Sequence, residues 1–401
     1  MRRWLSYLLL LSVLLACRKE PIQQVTIQRE GSVESVQEIY LEYESLILFY
    51  TCGHNNGLSG QINNNLQEIL EDNLPSVHSG RQVVLFLQHA NDAAPKLYRL
   101  GADTDGKNIC REIHPEEMDG WDKNTTSIST DTLQHFLNFI SRQYSARHNY
   151  LVFSSHGSGW LPAGVYDPYA GYTFIENTFG QDLQSGNKVY EMGIRLMAEK
   201  LPMHFDAILF DACLMGGVEV AYELKEKCDV IGFSPTEIMA HGMYYQTMCS
   251  HLFVHDVISV AEDYMYYYRH RSGTRCGCYT VVDCARLEAL AQACASIFAA
   301  HRAELEIIDP DTVQGYFRDD HHWYYDLQDV IVHLGVNEDE MDAFDAALEQ
   351  AVLFADHTDT FLGLRLERCC GLSTYLSIQG TTALDDYYKL YQWNVATGYV
   401  E

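Results

Sequence analysis

The chain is short of basic side chains: across 401 residues, 27 lysines and arginines face 55 aspartates and glutamates, a formal charge of −28 at pH 7. An acidic surface of that size argues against nucleic acid or an anionic membrane face as partner, because both would be repelled. It leaves cationic substrates or plain solubility as its meaning. Beyond residue 17 there is no apolar stretch long enough to cross a bilayer. A Gly-x-Gly-x-x-Gly or phosphate-cradling loop is missing too, which leaves a nucleotide-dependent enzyme without support. Zinc spacing is absent, since Cys276-Gly277-Cys278 and Cys369-Cys370 lack the two-residue gaps such sites use. The twelve cysteines form no disulfide framework; of the ten besides Cys17 and Cys213, most should be buried small hydrophobes. No repeat or low-complexity segment occurs, and 47% hydrophobic with 20% charged residues is ordinary for a globular chain.

What is present begins with an export signal. Arg2 and Arg3 precede an apolar run from Leu5 to Leu15, too short to span comfortably. Its end, Leu14-Leu15-Ala16-Cys17, resembles the lipobox of bacterial lipoproteins. That resemblance implies a signal peptide at 1–16, cleavage before Cys17, lipidation of Cys17 and a tether over 17–45. The protein would sit in the cell envelope, periplasmic or surface-exposed, held to a bacterial membrane by lipid. An ordinary signal peptide cut nearby is the alternative.

From residue 46 onward, apolar runs of strand length alternate with amphipathic helical spacing. Strands are expected at 46–51, 82–87, 150–155, 205–211, 229–234, 278–282 and 372–378, and a hairpin within 97–113. Helices are expected from Ile62 to Leu74, after the Ser129-Thr130-Asp131 caps, and at 192–201, 217–227, 244–270, 287–305, 338–356 and 384–394. Residues 157–187 read as one long loop. The alternation predicts an α/β fold with a mostly parallel central sheet and helices on both faces. The catalytic part would occupy 46–270, with an α/β part at 271–401 packed on it.

Two strand ends carry chemistry: Ser155-His156-Gly157-Ser158-Gly159-Trp160 and Phe210-Asp211-Ala212-Cys213-Leu214-Met215-Gly216. In open α/β sheets, ligands collect beyond the carboxyl ends of strands. An imidazole and a thiol meeting there suit nucleophilic catalysis, with Cys213 as nucleophile and His156 as base. A following helix start would favour the thiolate. The backbone N–H groups of Gly157 and Cys213 are the candidate oxyanion donors. The bland alternatives are a buried structural cysteine and a loop histidine. The order, histidine first and cysteine 57 residues later, fits caspase-type sites and not papain-like ones.

These two motifs resemble the clostripain family of cysteine peptidases, a branch of the caspase-like clan. The likeness extends to Glu219-Val220-Ala221-Tyr222-Glu223-Leu224, Ser234-Pro235-Thr236-Glu237-Ile238 and Gly371-Leu372-Ser373-Thr374-Tyr375-Leu376, and so covers about 46–395. It implies a caspase-like α/β/α sandwich, a His156–Cys213 dyad and cleavage after arginine or lysine in protein or peptide substrates. Asp211 would select the basic side chain, by a bidentate contact in the case of arginine, with Glu237 as a weaker second contact. Otherwise Asp211 is a strand-end carboxylate capping a helix.

Three departures qualify the likeness. Cys52-Gly53-His54-Asn55-Asn56 replaces the family's aspartate-asparagine loop. Members often cut themselves after a basic residue between the catalytic strands, yet 157–187 contains no lysine or arginine, and Lys188 is the first candidate. Some members depend on calcium; Asp167, Asp182 and the acidic 319–326 segment offer oxygens, but without calcium-loop spacing, so no cofactor is expected. The aromatic clusters at 264–268 and 321–325 invite a glycan-binding reading; core packing explains the first more simply, and the second stays open between that reading and a border of the substrate cleft. A lipoprotein of the same fold that binds peptide or glycan without turnover is the competing function.

Overall fold

A strand that is apolar at every position needs both faces covered, and the computed structural model covers both faces of 46–51. The structure describes residues 22–23, 39–40, 43–54, 57–90, 93–162, 179–184, 188–316 and 323–401, with side chains of 22–23, 39–40, 181–184 and 188–191 left aside. Cys17, the signal peptide, Asn55, Asn56, Asp167 and residues 319–322 lie outside the described residues, as do the side chains of Asp182 and Lys188.

The first long strand, β1 (Tyr43–Gly53), sends Leu46, Leu48, Tyr50 and Cys52 into one core and Ile47 and Phe49 into another. Eight further strands join it: β2 (Gln82–Ala90), β3 (Lys96–Ala102), β4 (Asn108–Ile113), β5 (Ala146–Ser154), β6 (Phe205–Asp211), β7 (Cys228–Phe233), β8 (Cys278–Asp283) and β9 (Val352–His357). Their order across the sheet is β9-β8-β7-β6-β5-β1-β2-β3-β4. The five strands from β7 to β2 run parallel, and both edges are finished by antiparallel pairings.

Among the described residues, the helices that cover the sheet include α1 (Ser59–Ile69), α2 (Thr130–Gln143), α3 (Ile194–Lys200), α4 (Val218–Leu224), α5 (Val257–His270), α6 (Leu287–Ala300) and α7 (Glu338–Ala351). α1 and α5 contribute to one core, and the other five to the opposite one. The α2 sequence shows why it forms: Ser129 caps it by accepting from the Thr132 N–H at 3.4 Å, and Leu133, Phe136, Leu137 and Ile140 make a buried stripe.

Three expectations about elements need correction. The helix anticipated through 356 stops at Ala351, and 352–357 becomes edge strand β9, paired antiparallel with β8. There, pairing to an open sheet edge overrides a local helical pattern. Residues 372–378 do not join the main sheet. A strand forms at Ser373–Thr374, paired with Tyr325–Asp326, and a 3-10 turn follows at Ser377–Gln379. The Ser373 N–H donates to Gly216 O at 2.9 Å, so the apolar run is buried as a clamp on the segment before α4. Within the presumed loop 157–187, Phe179–Gln184 pairs antiparallel with Lys188–Met192.

The described cysteines are free, and most are buried as expected. Tyr264, Met265 and Tyr268 are core residues, with Tyr264 packed on Tyr279 at a ring distance of 5.1 Å. Among the described residues no helix is long and apolar enough to cross a membrane.

Candidate active site

Register brings the two catalytic motifs together. β5 and β6 are parallel neighbours in which Ser154 lies opposite Asp211. Advancing two residues along each carries the chain to His156 and to Cys213. Both line one cavity of about 130 Å³ at the carboxyl ends of the strands, together with Ser154, Asp211, Ile62, Asn65, Ile238 and Gly242. The turns are seated against each other. A Cβ on Gly157 would come within 2.6 Å of the Cys213 carbonyl oxygen and 2.9 Å of Met215 Sδ, so only glycine fits there. A larger cavity of about 230 Å³, beside Arg302, Ile378 and Tyr399, contains neither cysteine nor histidine.

The turn after β6 is held by the segment that follows β7. Leu214 N–H donates to Thr236 O and Gly216 N–H to Ser234 O, each at 2.8 Å. Ile238 N–H donates to Cys213 Sγ at 3.3 Å. Leu214 itself has φ 60°, a left-handed conformation that a branched side chain rarely adopts. Such strain persists only where surrounding contacts hold it, and it concentrates at functional turns.

Asp211 is the buried floor of the cavity. Its Oδ2 accepts from Tyr245 Oη at 2.5 Å and from Ser154 Oγ at 3.1 Å, and the Met243 backbone N–H adds a third donor. It caps no helix: Gly217 is the N-cap of α4, without any side-chain bond. Burial raises the Asp211 pKa, while its three donors pull the other way. Gly242 passes so close, at φ 72°, that a Cβ would lie 2.4 Å from Asp211 Oδ2. Glu237 is half-buried beside the site, where its charge is felt by Cys213; the cavity wall itself is made by Ile238, Met239 and Ala240.

The expected thiolate-favouring helix start is not realised. Four residues separate Cys213 from α4, whose seven residues begin at Val218. Burial instead pushes the Cys213 thiol up to about 12, with Glu237 and Asp211 adding to the effect. Burial also lowers the His156 pKa. Both shifts favour the neutral forms, a protonated thiol beside an unprotonated imidazole.

Several contributors carry no local signal in the sequence. Ile62 and Asn65 line the cavity from α1, and Tyr245 reaches Asp211 from 34 residues downstream. By contrast, Trp160 and Tyr324, both in stretches the sequence singles out, fix the turn after His156: Tyr391 Oη donates to Trp160 O at 2.9 Å, and Tyr324 Oη to Ser158 O at 2.6 Å. Tyr324 and Tyr325 are buried, while His321 and His322 of the same cluster lie outside the described residues.

A thiol and an imidazole sharing a cavity beyond adjacent parallel strands, in a helix-covered sheet, belong to the class of cysteine-type hydrolases. The sequence pattern of the clostripain family matches residues 49–395. The chain therefore belongs to the clostripain family and is a cysteine-type peptidase. Among solved structures, an inactive zymogen C11 protease from Parabacteroides distasonis shares 28% identity, with a TM-score of 0.72, over 90% of this chain and 99% of that one. A secreted C11 cysteine protease from Bacteroides thetaiotaomicron, in complex with an irreversible peptide inhibitor, shares 26% identity, with a TM-score of 0.74, over 88% and 98% of the two chains. No curated protein gives a significant match.

Proposed function

We propose that the chain is an endopeptidase that cleaves after arginine or lysine, with Cys213 as nucleophile and His156 as its base. The observation that carries this reading is one cavity holding His156, Cys213 and the buried carboxylate of Asp211. A cationic side chain reaching Asp211 would offset the cost of its buried charge, and a guanidinium would engage it in bidentate fashion. Glu237 adds a second, outer negative charge.

With both groups neutral at rest, thiol deprotonation is coupled to attack. His156 takes the Cys213 proton as sulfur bonds to the carbonyl carbon, and the backbone N–H groups of Gly157 and Cys213 hold the oxyanion. The imidazolium then protonates the leaving amine, and water hydrolyses the acyl-enzyme. This scheme needs no cofactor, and calcium has no step in it.

The catalytic unit in this reading is 46–270, with 271–401 supporting it. The chain would be exported by its 1–16 signal and anchored through lipidated Cys17 in the envelope. A secreted relative with a peptide inhibitor supports both the export and the substrate class. Self-cleavage between the catalytic strands would fall after Lys188, the first basic residue there.

The test is hydrolysis of fluorogenic peptides with Arg, Lys, Asp or Ala before the scissile bond, using residues 18–401, Cys213→Ala and Asp211→Asn. Turnover of Arg or Lys substrates should vanish in the first variant and lose its basic preference in the second. A preference for Asp or Ala would overturn the assignment of Asp211. The upward push of burial on the Cys213 thiol favours a second reading, a peptide-binding protein without turnover; stoichiometric peptide binding with no hydrolysis would establish that reading.

A further inference from the structure

At the opposite end of β5 and β6 from the cavity stands a second cluster of reactive side chains. His148 is the third residue of β5, Asp206 the second of β6, and His255 lies in the turn before α5. One ligand atom from each falls within 4.8 Å of the other two. His148 Nδ1 and Asp206 Oδ1 are 2.6 Å apart, and the Asn149 N–H donates to Asp206 Oδ2 at 2.7 Å. The rings of His148 and His255 are 4.1 Å apart, and the Tyr150 hydroxyl is hydrogen-bonded to His255 Nδ1. His255 has φ 63°, so its ring is brought to the cluster by a backbone conformation that side chains disfavour.

We propose that His148, Asp206 and His255 form a binding site for a divalent transition-metal ion, with zinc the best fit. Single histidine–carboxylate pairs occur elsewhere on the molecule, as in His204–Asp229, His251–Asp263 and His301–Glu340. This cluster differs because a second imidazole converges on the pair from a third element. Two imidazoles and one carboxylate with an open fourth position are a zinc donor set, and their nitrogen content disfavours calcium and magnesium. The supporting contacts are of the kind such sites use: Asn149 N–H orients the carboxylate, and Tyr150 fixes the His255 ring through Nδ1. Zinc at about 2.0–2.2 Å from each ligand spaces the ligands roughly 3.4 Å apart. The ion would replace the proton between His148 and Asp206 and open their 2.6 Å contact by under about an ångström, while His255 closes in. His148 and Asp206 are half-buried and His255 is exposed, which leaves the side chains room for this adjustment. The metal would staple the starts of the two strands that carry His156 and Cys213 to the turn leading into α5.

The test uses untagged residues 18–401, stripped with chelator and titrated with cobalt(II), whose visible absorption reports coordination. One equivalent should bind with the bands of a nitrogen–oxygen site, unaffected by Cys213→Ala. In His148→Gln and His255→Gln the affinity should fall at least about tenfold. Zinc should raise the melting temperature of the parent chain and leave both variants unmoved, while their metal-free circular dichroism and melting match the parent. Cobalt binding undiminished in both variants, or no saturable binding below millimolar metal, would overturn the assignment.

Discussion

Burial acts on Cys213 and His156 in opposite directions on the pH scale but toward one chemical state. It pushes the thiol up to about 12 and the imidazole down, so the pair rests uncharged. A preformed thiolate–imidazolium pair would alkylate at a rate that is flat across neutral pH. The neutral pair leaves a thiolate fraction that grows about tenfold per pH unit up to the thiol pKa. Iodoacetamide labelling of Cys213, followed by mass spectrometry from pH 6 to 10, should therefore rise steadily; a plateau between 6 and 8 would show an ion pair. Tyr245 presents a second residue-level case. Its hydroxyl is one of three donors to Asp211, and Tyr245→Phe removes it without changing the shape of the core. A hydrogen bond to a charged group contributes about 1.5–3 kcal/mol. The kcat/KM for arginine substrates should drop about tenfold or more, with kcat/KM for neutral substrates little changed. Equal losses on both would mean that Tyr245 only supports the fold.

At the scale of elements, the site depends on how closely two turns approach. Gly157→Ala would place a methyl 2.6 Å from the Cys213 carbonyl oxygen, backbone that cannot swing aside, and should cost roughly 1–3 kcal/mol of stability along with most activity. Gly60, an exposed position in α1 with nothing within 4 Å of a built Cβ, is the control. There alanine should stabilise by about 0.5–1 kcal/mol, because it is the better helix former. Urea midpoints of the two variants should move in opposite directions; a rise in both would mean that glycine entropy, not the clash, governs position 157. The same scale explains what the sequence made legible. The strands ending at His156 and Cys213 announce themselves because both faces are apolar and the break into small residues is abrupt. The Ser129 cap likewise announces α2. Tyr245 and Asn65 cannot be read this way, since their role is set by which elements the sheet order brings side by side. β9 is hidden for a related reason, because an edge strand is chosen by a partner, β8, far earlier in the chain. The effect of burial on the Cys213 thiol was also out of reach, because it comes from walls contributed by several distant segments.

For the molecule as a whole, Glu219 joins the α4 region to the chain's last quarter. It is buried, and its Oε1 accepts from Thr374 Oγ1 at 2.9 Å, Tyr375 N at 3.2 Å and Tyr388 Oη at 2.7 Å. Its Oε2 has no hydrogen-bond partner, and burial raises its pKa to about 6 despite these donors and its own backbone N–H. The unfolded chain loses this proton near 4.5, whereas the folded one keeps it to about 6. Between those values the native state binds more protons, so stability falls as pH rises and then levels off above 6. A gap of about one and a half pH units corresponds to roughly 2 kcal/mol. In Glu219→Gln the amide oxygen can keep the three donors while its NH2 lacks an acceptor, so the variant should be less stable at pH 4.5 by about 1–3 kcal/mol. It should also lack this group's pH dependence. The stability difference between parent and variant, measured by urea unfolding at pH 4.5, 6 and 7.5, should therefore shrink by about 2 kcal/mol as pH rises. A constant difference would mean that Glu219 titrates normally in the folded chain. In that case solvent would reach the junction between α4 and the 373–388 segment, and the last quarter of the chain would be held to the catalytic strands less tightly than its buried contacts indicate.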